Sequence, residues 1–482
     1  MVRLGALDLL SCAPHRTAIP TIVTTSAFAE LPLDSALLIN LDSLGYHAMT
    51  PIQAESLPHI LAGRDMIAQA KTGSGKTAAF GIGLLSRLDQ RDFGVQGLVL
   101  CPTRELADQV AKEIRRLARC LPNVKLLSLC GGAPLGPQFE SLEHGAHLVV
   151  GTPGRVLKHL GKGSLKLDRL KMLVLDEADR MLDMGFHEAI LEVIAAAPGT
   201  RQTLLFSATY PGTIRSMSAS IQRQPTSVSV ESLHDGNDIE QLFYEIEKDA
   251  RAKTLTALLA HHRPESSMIF CNTKQQCQDV ASALQAQGFH ALSLHGDLEQ
   301  KDRDQVLVRF ANKSCSILVA TDVAARGLDI KDLQAVINYE LAHDPEVHIH
   351  RIGRTGRAGS KGLALSLYTP AEAHKVNAIE AYQKSPVVSA LPESLKSSEG
   401  FNPQPPMVTL CIDGGRKNKV RPGDILGALT GEAGIPGQHV GKIDIFDFHA
   451  YVAIDRAIAD KALNRLAVGR IKGRNFKIRR VH

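Results

Sequence analysis

The segment Ala70-Lys71-Thr72-Gly73-Ser74-Gly75-Lys76-Thr77 decides the fold of this chain. It follows a short apolar run at residues 65–69 and opens a stretch with helical periodicity. Glycines in such a turn let backbone N–H groups approach phosphate oxygens, and the start of a helix adds a positive dipole end. The segment therefore predicts a phosphate-binding loop, in which Lys76 reaches the β- and γ-phosphates and Thr77 helps to hold Mg²⁺.

The pattern around this loop is an alternation of short apolar runs and helical stretches. Between residues 63 and 231 the runs lie at 65–69, 98–101, 126–130, 148–151, 173–175 and 204–206. After a polar stretch at 235–238 they resume at 268–271, 291–294, 317–320, 335–338 and 363–368. Continuous apolar strands separated by helices indicate parallel sheets that are covered on both faces. The expected fold class is α/β, with two tandem parallel-sheet domains.

An acidic cluster follows one of these runs. Leu173-Val174-Leu175 leads directly into Asp176-Glu177-Ala178-Asp179. A carboxylate at the carboxyl end of a parallel strand faces the crevice in which α/β sheets bind ligands. Asp176 suits a Mg²⁺ ligand shell, and Glu177 suits the orientation and deprotonation of an attacking water. Such a cluster alone is more often a solvated turn, but the phosphate-binding loop in the same domain favours a site.

The last part of the chain differs from the rest in charge. Residues 405–482 hold fourteen Lys and Arg against seven Asp and Glu, a net charge of +7, which leaves −2 for the first 404 residues of a chain whose total is +5. A proline-rich stretch at 386–405 predicts a linker before this end. Strand, helix, two strands, helix and strand then suggest a small α+β domain at 406–482. Its charge indicates either a polyanion partner or a solvated basic surface.

Composition narrows the class of protein further. With 482 residues, 44% hydrophobic and 22% charged, the chain is expected to be globular with several domains. The sequence contains no run of about 18 apolar residues, so no membrane span is predicted. The eight cysteines include no C-x-x-C pair, which favours free thiols in a reducing cytoplasm. Residues 1–25 are expected to be a disordered extension.

Several motifs together resemble one family, the DEAD-box RNA helicases. They are the D-E-A-D run, the phosphate-binding loop, Ser207-Ala208-Thr209 and the segment His350-Arg351-Ile352-Gly353-Arg354-Thr355-Gly356-Arg357. They occur in the family's order within about residues 28–370. The resemblance implies two RecA-like domains, at 26–232 and 233–385, with ATP and Mg²⁺ between them and RNA crossing both.

The resemblance also assigns residues to the nucleotide. Phe28 is expected to stack on adenine and Gln53 to hydrogen-bond its edge, while Tyr46 is equally well explained as core. Gly327 and Asp329 are expected at the ribose. The remaining ATP-binding residues are those of the loop: Thr72, Gly73, Ser74, Gly75, Lys76 and Thr77. The implied catalytic group is Lys76, Asp176, Glu177 and two arginine fingers, Arg354 and Arg357.

Coupling and RNA contact are implied by the same resemblance. Ser207, Thr209, Asp179 and His350 are expected to transmit nucleotide state between sites; His348 stands where many relatives have Tyr. The implied RNA contacts of the two helicase domains are Pro102, Thr103, Arg104, Gly131, Gly132, Thr152, Pro153, Gly154, Arg155, Arg303 and Thr321. Contacts of this kind reach sugar and phosphate, and 2′-OH contacts favour RNA over DNA.

The basic end resembles the carboxy-terminal RNA-binding domain of the DbpA subfamily, which is built like an RRM. This implies a hairpin of 23S ribosomal RNA near the peptidyl-transferase centre as partner, a role in large-subunit assembly, and a monomer. Where an RRM places stacking aromatics, the sequence offers Cys411, His449 and Tyr451, so stacking is expected of Tyr451 alone. The expected phosphate and loop contacts are Arg416, Lys417, Lys419, Arg470, Lys472, Arg474, Lys477 and Arg479.

The resulting hypothesis is an ATP-dependent helicase that unwinds short RNA duplexes beside an anchoring hairpin. One alternative is a general RNA chaperone or an ATP-gated RNA clamp without hairpin specificity; another is a DNA helicase. Intact Glu177, Arg354 and Arg357 favour hydrolysis over a non-catalytic clamp.

Overall fold

The structure is a computed structural model that describes residues 27–70, 73–210, 212–230, 239–325, 328, 330, 333–356, 361–395, 404–431 and 434–481. The expected extension at 1–25 and part of the linker, at 396–403, lie outside the described residues. The chain divides into two compact units. The first contains one seven-stranded sheet, and the second contains another seven-stranded sheet together with a four-stranded one.

The first sheet is parallel throughout, with the strand order β3-β4-β2-β5-β6-β1-β7. Its strands are β1 Met66–Gln69, β2 Gly97–Leu100, β3 Leu126–Leu129, β4 Leu148–Gly151, β5 Met172–Asp176, β6 Gln202–Ser207 and β7 Thr226–Ser229. The helices are α1 Ser35–Ser43, α2 Pro51–Leu61, α3 Lys76–Ser86, α4 Arg104–Leu117, α5 Gly136–Glu143, α6 Pro153–Gly161, α7 Ala178–Asp183, α8 His187–Ala195 and α9 Gly212–Ile221. All six apolar runs are strands, as predicted. Parallel pairing places their carboxyl ends along one edge of the sheet.

The second sheet repeats this plan, with all strands parallel in the order β10-β11-β9-β12-β13-β8-β14. Its strands are β8 Ile239–Glu245, β9 Ser267–Cys271, β10 Ala291–Leu294, β11 Ile317–Thr321, β12 Ala335–Asn338, β13 Gly362–Tyr368 and β14 Val388–Ala390. The helices are α10 Arg251–His262, α11 Lys274–Ala286, α12 Gln300–Ala311, α13 Asp322–Ala325, α14 Pro345–Ile352 and α15 Ala373–Gln383. β14 lies inside the stretch 386–405 that was expected to be linker. Because β14 pairs with β8, the second domain runs past residue 385, and that boundary was wrong.

The third sheet is antiparallel, with the order β16-β17-β15-β18. Its elements are β15 Met407–Ile412, α16 Pro422–Thr430, β16 Val440–Ile445, β17 Ala450–Asp455, α17 Ala459–Val468 and β18 Ile478–Arg480. Leu410, Val452 and Ile454 on the strands are fully buried with Ile425 and Ala462 on the helices, so both helices cover one sheet face. The fold class is therefore the expected one: two RecA-like parallel-sheet domains and a small α+β domain.

Part of the small sheet packs on the second parallel-sheet domain. Val308 of α12 forms one buried cluster with Cys411, Tyr451 and Val481. Beside this cluster, the hydroxyl groups of Thr409 and Ser314 are 2.6 Å apart in a buried hydrogen bond. The sheet face left uncovered by α16 and α17 is thus covered, at these residues, by the neighbouring domain.

Helices of the described ranges are short or polar, and none has the length and hydropathy of a membrane span.

Candidate nucleotide site and RNA-binding surfaces

The turn between β1 and α3 has the backbone shape of a phosphate-binding loop. Gly73 and Gly75 have φ of +88° and +98°, in the left-handed region that favours glycine. A Cβ atom on Gly75 would also lie 2.6 Å from Nε2 of Gln53, so a larger residue would have to displace that amide. Thr72 of this loop lies outside the described residues. The loop stands where the sequence placed it, with α3 beginning at Lys76.

Lys76 is held at the base of this loop. Its side chain is buried, and Nζ donates to the carbonyl of Ala70 over 2.8 Å. The neighbouring Ser74 hydroxyl is buried and has no hydrogen-bond partner among the described residues. A buried hydroxyl without a partner is costly, and a phosphate oxygen would supply the missing partner. A buried cation and an unsatisfied hydroxyl in one turn fit a bound phosphate.

Gln53 supports the loop directly. Its Oε1 accepts from the backbone N–H of Thr50 over 2.9 Å, and its Nε2 donates to the carbonyl of Gly75 over 3.1 Å. The amide is therefore oriented by the start of its own helix and by the phosphate-binding loop. Its contact with adenine stays a prediction.

The aromatic residues expected at adenine are packed in the first domain. Phe28 is 4% exposed, and its ring meets the Tyr46 ring edge-on at 6.2 Å. The Tyr46 hydroxyl donates to Glu113 over 2.5 Å, and the Arg116 guanidinium lies 5.6 Å from the ring centroid. Burial, followed by the hydrogen bond to Glu113, raises the pKa of Tyr46 to about 12. Of the two explanations for Tyr46, this environment favours core.

The acidic cluster ends β5 in a strained turn. Glu177 has φ 55° and ψ 53°, a left-handed conformation that costs energy in a residue with a Cβ, and strain of this kind is concentrated at functional sites. The Glu177 carboxylate is buried, with Nη1 of Arg180 at 3.3 Å from its Oε2. Asp176 is also buried; this raises its pKa to about 6, against the smaller opposing effect of the Lys76 charge.

The donor set at Asp176 fits Mg²⁺. Oδ1 of Asp176 is buried without a hydrogen-bond partner in the described part of the chain. A hard cation prefers carboxylate and hydroxyl oxygens, and the Thr77 hydroxyl follows the phosphate-binding loop directly. Asp176 and Thr77 would hold the ion, and the ion would supply charge to the β- and γ-phosphate oxygens. The role of the neighbouring Glu177 in orienting a water stays a prediction.

Asp179 joins the acidic cluster to the end of β6. Its Oδ2 accepts from the backbone N–H groups of Ala208 and Thr209, at 3.1 and 3.0 Å, and from the Thr209 hydroxyl at 3.0 Å. The backbone N–H of Asp179 in turn donates to the Ser207 hydroxyl over 3.4 Å. Three residues of the predicted coupling group are therefore in direct contact.

Predicted RNA contacts of the first domain fall into two groups. Gly131, Gly132 and Gly154 are exposed, and Thr103, Arg104, Thr152 and Arg155 are partly exposed, so each can reach a ligand. Arg155 is oriented by hydrogen bonds from Nη1 to the Ala133 carbonyl and to Gln138. Pro102 and Pro153 are buried, so their side chains are not open to a ligand, and their assignment to RNA contact stays a prediction. Pro153 begins α6, where its fixed φ suits the first turn.

In the second domain, Arg354 lies in the interior of its own loop. It is 7% exposed, and its Nη1 donates to the carbonyl of Leu328 over 2.8 Å. His350 is one-third exposed, with Nε2 at 3.6 Å from Glu346. Gly327, Asp329 and Arg357, which were assigned to ribose and to the second arginine finger, lie outside the described residues.

The side chains predicted to contact RNA in this domain are more buried than expected. Thr321 is 6% exposed, and its hydroxyl accepts from the backbone N–H of Ala324, at the start of α13. Arg303 is partly exposed, and its Nη2 donates to the Ala324 carbonyl over 2.7 Å. Burial of the Thr321 side chain opposes a direct contact with RNA, because its hydroxyl caps the following helix instead.

Arg351 organises the second domain, and no pattern in the sequence singled it out. Its guanidinium is almost fully buried and forms two hydrogen bonds of 2.7 Å with the Asp322 carboxylate. It also donates to Oδ1 of Asn272 and to the backbone carbonyl of Glu340. One side chain thereby joins the loops after β9, β11 and β12 to α14. Its place between two residues with assigned roles, His350 and Arg354, was the available signal.

His348 is a buried histidine without polar partners. Neither ring nitrogen has a hydrogen-bond partner in the described ranges, and the ring lies 5.6 Å from that of Phe243. Burial, with a smaller effect from the Arg351 charge, lowers the pKa of His348 to about 3. It therefore acts as a neutral core residue.

In the small domain, the expectation that Tyr451 stacks on RNA is wrong. Tyr451 is 4% exposed and belongs to the cluster with Val308, Cys411 and Val481. Phe446 meets its ring edge-on at 5.5 Å. The ring cannot receive a base because a helix of the neighbouring domain already covers it.

The exposed cations of this domain lie mainly on three connected loops, which we call the basic loop edge and define as residues 413–421, 446–449 and 469–477. Asp413 donates its backbone N–H to the Lys477 carbonyl, and Lys472 donates its ammonium to the Lys419 carbonyl. Exposed cations on this edge are Arg416, Lys417, Lys419, Arg421, Arg470, Lys472, Arg474 and Lys477. Arg479 is partly exposed, and its Nη2 lies 3.8 Å from Asp413. All eight predicted tail cations thus keep some exposure.

Comparison with known families covers most of the chain. Residues 50–217 match the family described as DEAD/DEAH box helicase, residues 250–359 match the helicase conserved C-terminal domain, and residues 409–480 match the DbpA RNA binding domain.

Individual proteins agree with these matches. The chain is 56% identical over 455 residues to the ATP-dependent RNA helicase DbpA of Escherichia coli, covering 94% of this chain and 99% of that protein. It is 43% identical over 360 residues to the DEAD-box ATP-dependent RNA helicase CshA of Bacillus cereus, covering 74% of this chain and 68% of that protein.

A solved structure matches the region of the two helicase domains. Saccharomyces cerevisiae Dbp5 bound to RNA and ADP BeF3 matches with a TM-score of 0.69 and 31% identity, over 76% of this chain and 96% of that one. The phosphate-binding loop, the buried Asp176-Glu177 pair and the Asp179–Thr209 contact therefore lie in a framework shared with a nucleotide- and RNA-bound relative. The chain belongs to the DEAD-box ATP-dependent RNA helicases, in the subfamily of DbpA.

Proposed function

We propose that this RNA helicase is anchored by its small domain to a hairpin of 23S ribosomal RNA near the peptidyl-transferase centre. From there the two RecA-like domains separate a short neighbouring duplex during assembly of the large ribosomal subunit. The enzyme acts in the cytoplasm as a monomer and uses Mg²⁺ with ATP. The observation that supports an anchor is the basic loop edge, which presents eight exposed cations on three loops that hydrogen bonds connect.

The nucleotide site supports the catalytic half of this proposal. Lys76 and the N-terminus of α3 bind the phosphates, and Glu177 orients and deprotonates the water that attacks the γ-phosphate. Asp179 carries the change at the γ-phosphate to Ser207 and Thr209 through its hydrogen bonds. Arg354 and Arg357 complete the site from the second domain, so hydrolysis depends on closure of the two domains.

A second candidate function is a general RNA chaperone without hairpin specificity. The observation that favours it is the burial of Tyr451, because a domain without a stacking aromatic on its sheet binds through phosphates, which carry no sequence information. The two candidates differ in whether removal of the small domain changes the choice of RNA or only the affinity.

ATP hydrolysis against a panel of RNAs tests the proposal. The panel contains a 23S fragment with the hairpin, the same fragment with a scrambled hairpin, and an unrelated duplex, each with full-length protein and with a chain ending near residue 400. We expect the intact hairpin to stimulate the full chain most strongly and the shortened chain to respond equally to all three RNAs. Equal stimulation of the full chain by all three would favour the general chaperone.

Glu177→Gln is the control for catalysis. It keeps the size of the side chain and removes its basicity, so ATP binding should persist while RNA-stimulated hydrolysis falls by at least about a hundredfold, as expected for a lost general base. Hydrolysis at the wild-type rate would exclude this role for Glu177.

A further inference from the structure

We propose that Phe448, at the tip of the β16–β17 hairpin, is a stacking surface for an unpaired RNA base. The inference deepens the proposed function, because it rests on the small domain being an RNA anchor. It names the part of the anchor that contacts a base, whereas the cations around it contact phosphates.

Phe448 is exposed on an ordered turn. Its side chain is 64% exposed, although a buried Phe would contribute about 1.5–3 kcal/mol to stability. The turn is closed by a 2.8 Å hydrogen bond from the backbone N–H of Phe446 to the carbonyl of His449. Phe446, two residues earlier, packs against Tyr451 and anchors the hairpin. The turn that carries the exposed ring is therefore fixed by these two contacts.

The loop that carries two cationic residues is held against the loop that carries this ring. The backbone N–H groups of Arg416 and Lys417 donate to the carbonyls of Phe446 and Asp447, each over 2.9 Å. The two loops can come this close because residue 415 is glycine. A Cβ atom there would lie 2.2 Å from the Phe446 carbonyl oxygen. The two loops of the basic loop edge are thus locked together, and two exposed cations accompany the ring.

Asp447, the acidic residue at the hairpin tip, does not neutralise both of these cations. Asp447 lies 3.7 Å from Nη1 of Arg416, and both side chains are largely exposed. Lys417, in contrast, contributes its backbone to the contact, and its ammonium group stays exposed. An aromatic face with an adjacent cation is the combination that binds single-stranded nucleic acid, through stacking and phosphate contact.

The ligand that this chemistry fits is an unpaired base in a loop or bulge of a structured RNA. In a continuous duplex the base faces are covered by their neighbours, so a protein ring can reach them only where the stack is open. In an RRM the stacking rings lie on the sheet, but here Tyr451 is covered. The hairpin tip supplies a ring outside that covered face.

The chain contains no tryptophan, so Phe448→Trp introduces a single fluorescent reporter into the full-length protein. We expect its emission to be strongly quenched by a 23S hairpin fragment with an open loop. A blunt duplex with the same number of phosphates should bind more weakly and leave the emission nearly unchanged. Equal emission with both RNAs at saturation would overturn the proposal.

Affinity provides an independent test with matched controls. Phe448→Ala should weaken binding of the open-loop fragment about tenfold, within the range measured for loss of one stacked base, without changing the slope of log Kd against log salt. Lys417→Ala should weaken both RNAs and reduce that slope by about one. Val468→Ala, at a side chain that is 87% exposed, should change neither. An unchanged Kd for Phe448→Ala would overturn the proposal.

The two proposals can fail separately. If wild-type protein binds the 23S hairpin and its scrambled version equally, the rRNA anchor is wrong, whereas a tenfold effect of Phe448→Ala on open-loop RNA still supports the stacking role. Because Phe448 is exposed, its removal should leave the thermal unfolding midpoint unchanged, which separates lost stacking from lost folding.

Discussion

Asp179 and Thr209 are joined twice through one carboxylate oxygen, which accepts from the backbone N–H and from the hydroxyl of Thr209 at 3.0 Å each. This oxygen connects the segment that follows β5, where Glu177 lies, to the segment that follows β6. A rotation of Asp179 would change both contacts together. On the proposed function, this pair would report a change at the γ-phosphate, which the next prediction tests.

Thr209→Val should uncouple unwinding from nucleotide binding. The substitution keeps the shape but removes one of the hydrogen bonds to Asp179, a loss of about 1 kcal/mol. We expect a fivefold to tenfold slower strand displacement with an unchanged Kd for ATP. Strand-displacement kinetics and nucleotide titration measure the two effects. Thr209→Ser, which retains the hydroxyl, should behave as wild type; an equal loss with Ser would contradict the hydrogen-bond explanation.

Asp176→Asn should stabilise the nucleotide-free protein at pH 8. Burial raises the pKa of Asp176 from 3.8 to about 6, so its ionisation destabilises the fold progressively as the pH rises above 3.8, and fully above about 6. We expect a gain on the order of 2 kcal/mol in the unfolding free energy of the first domain at pH 8. Chemical denaturation should show this gain falling to roughly half at pH 5. Asp168→Asn, at an exposed site, is the control and should have little effect.

His348→Phe should make the second domain more resistant to acid. The folded-state pKa of about 3 lies below that of an unfolded histidine, so His348 contributes stability at neutral pH that is lost as the pH falls below about 6.5. Between pH 7 and pH 5 the wild type should lose about 2 kcal/mol more than the variant. Denaturation at the two pH values measures this difference. The matched control, His374→Phe at an exposed position, should lose as much as wild type.

Val308→Asp should detach the small sheet from α12. The substitution places a carboxylate among the apolar side chains of the buried cluster with Cys411 and Tyr451, where loss of its hydration is costly. We expect Cys411, now fully buried, to be alkylated at least tenfold faster, as measured by mass spectrometry of the peptide that contains it. Val308→Ile keeps the contact apolar and should leave the rate near that of wild type. Slow alkylation in both variants would show that the cluster does not depend on Val308.

The sequence predicted buried strands better than strands that mix polar and apolar residues. The runs that became β4 and β12, which are fully buried, were predicted with their observed bounds, because a strand covered on both faces is mostly apolar. β7, β8 and β14 were missed. Each is half exposed and mixes polar with apolar residues, as in Thr226–Ser229, so continuous hydrophobicity was the wrong signal for them.

For the nucleotide site, the sequence was most informative where one short segment carries the chemistry. Loop geometry at Gly75 and the burial of Asp176 depend on neighbours within one or two elements, and the motif already contains that information. The prediction that Tyr451 stacks on RNA was wrong for the opposite reason. Its environment is set by Val308, more than a hundred residues earlier, and no local pattern shows that a helix of another domain covers the sheet.

Arg351 gives the second domain an unusual engineering constraint. A single guanidinium binds Asn272, Asp322 and the Glu340 carbonyl. Three segments at the carboxyl edge of that sheet therefore depend on one side chain for their position. If one of these segments is replaced by that of another helicase, the new segment must also offer an acceptor to Arg351. Without it the guanidinium would shift, and its contacts with the other two segments would be lost as well.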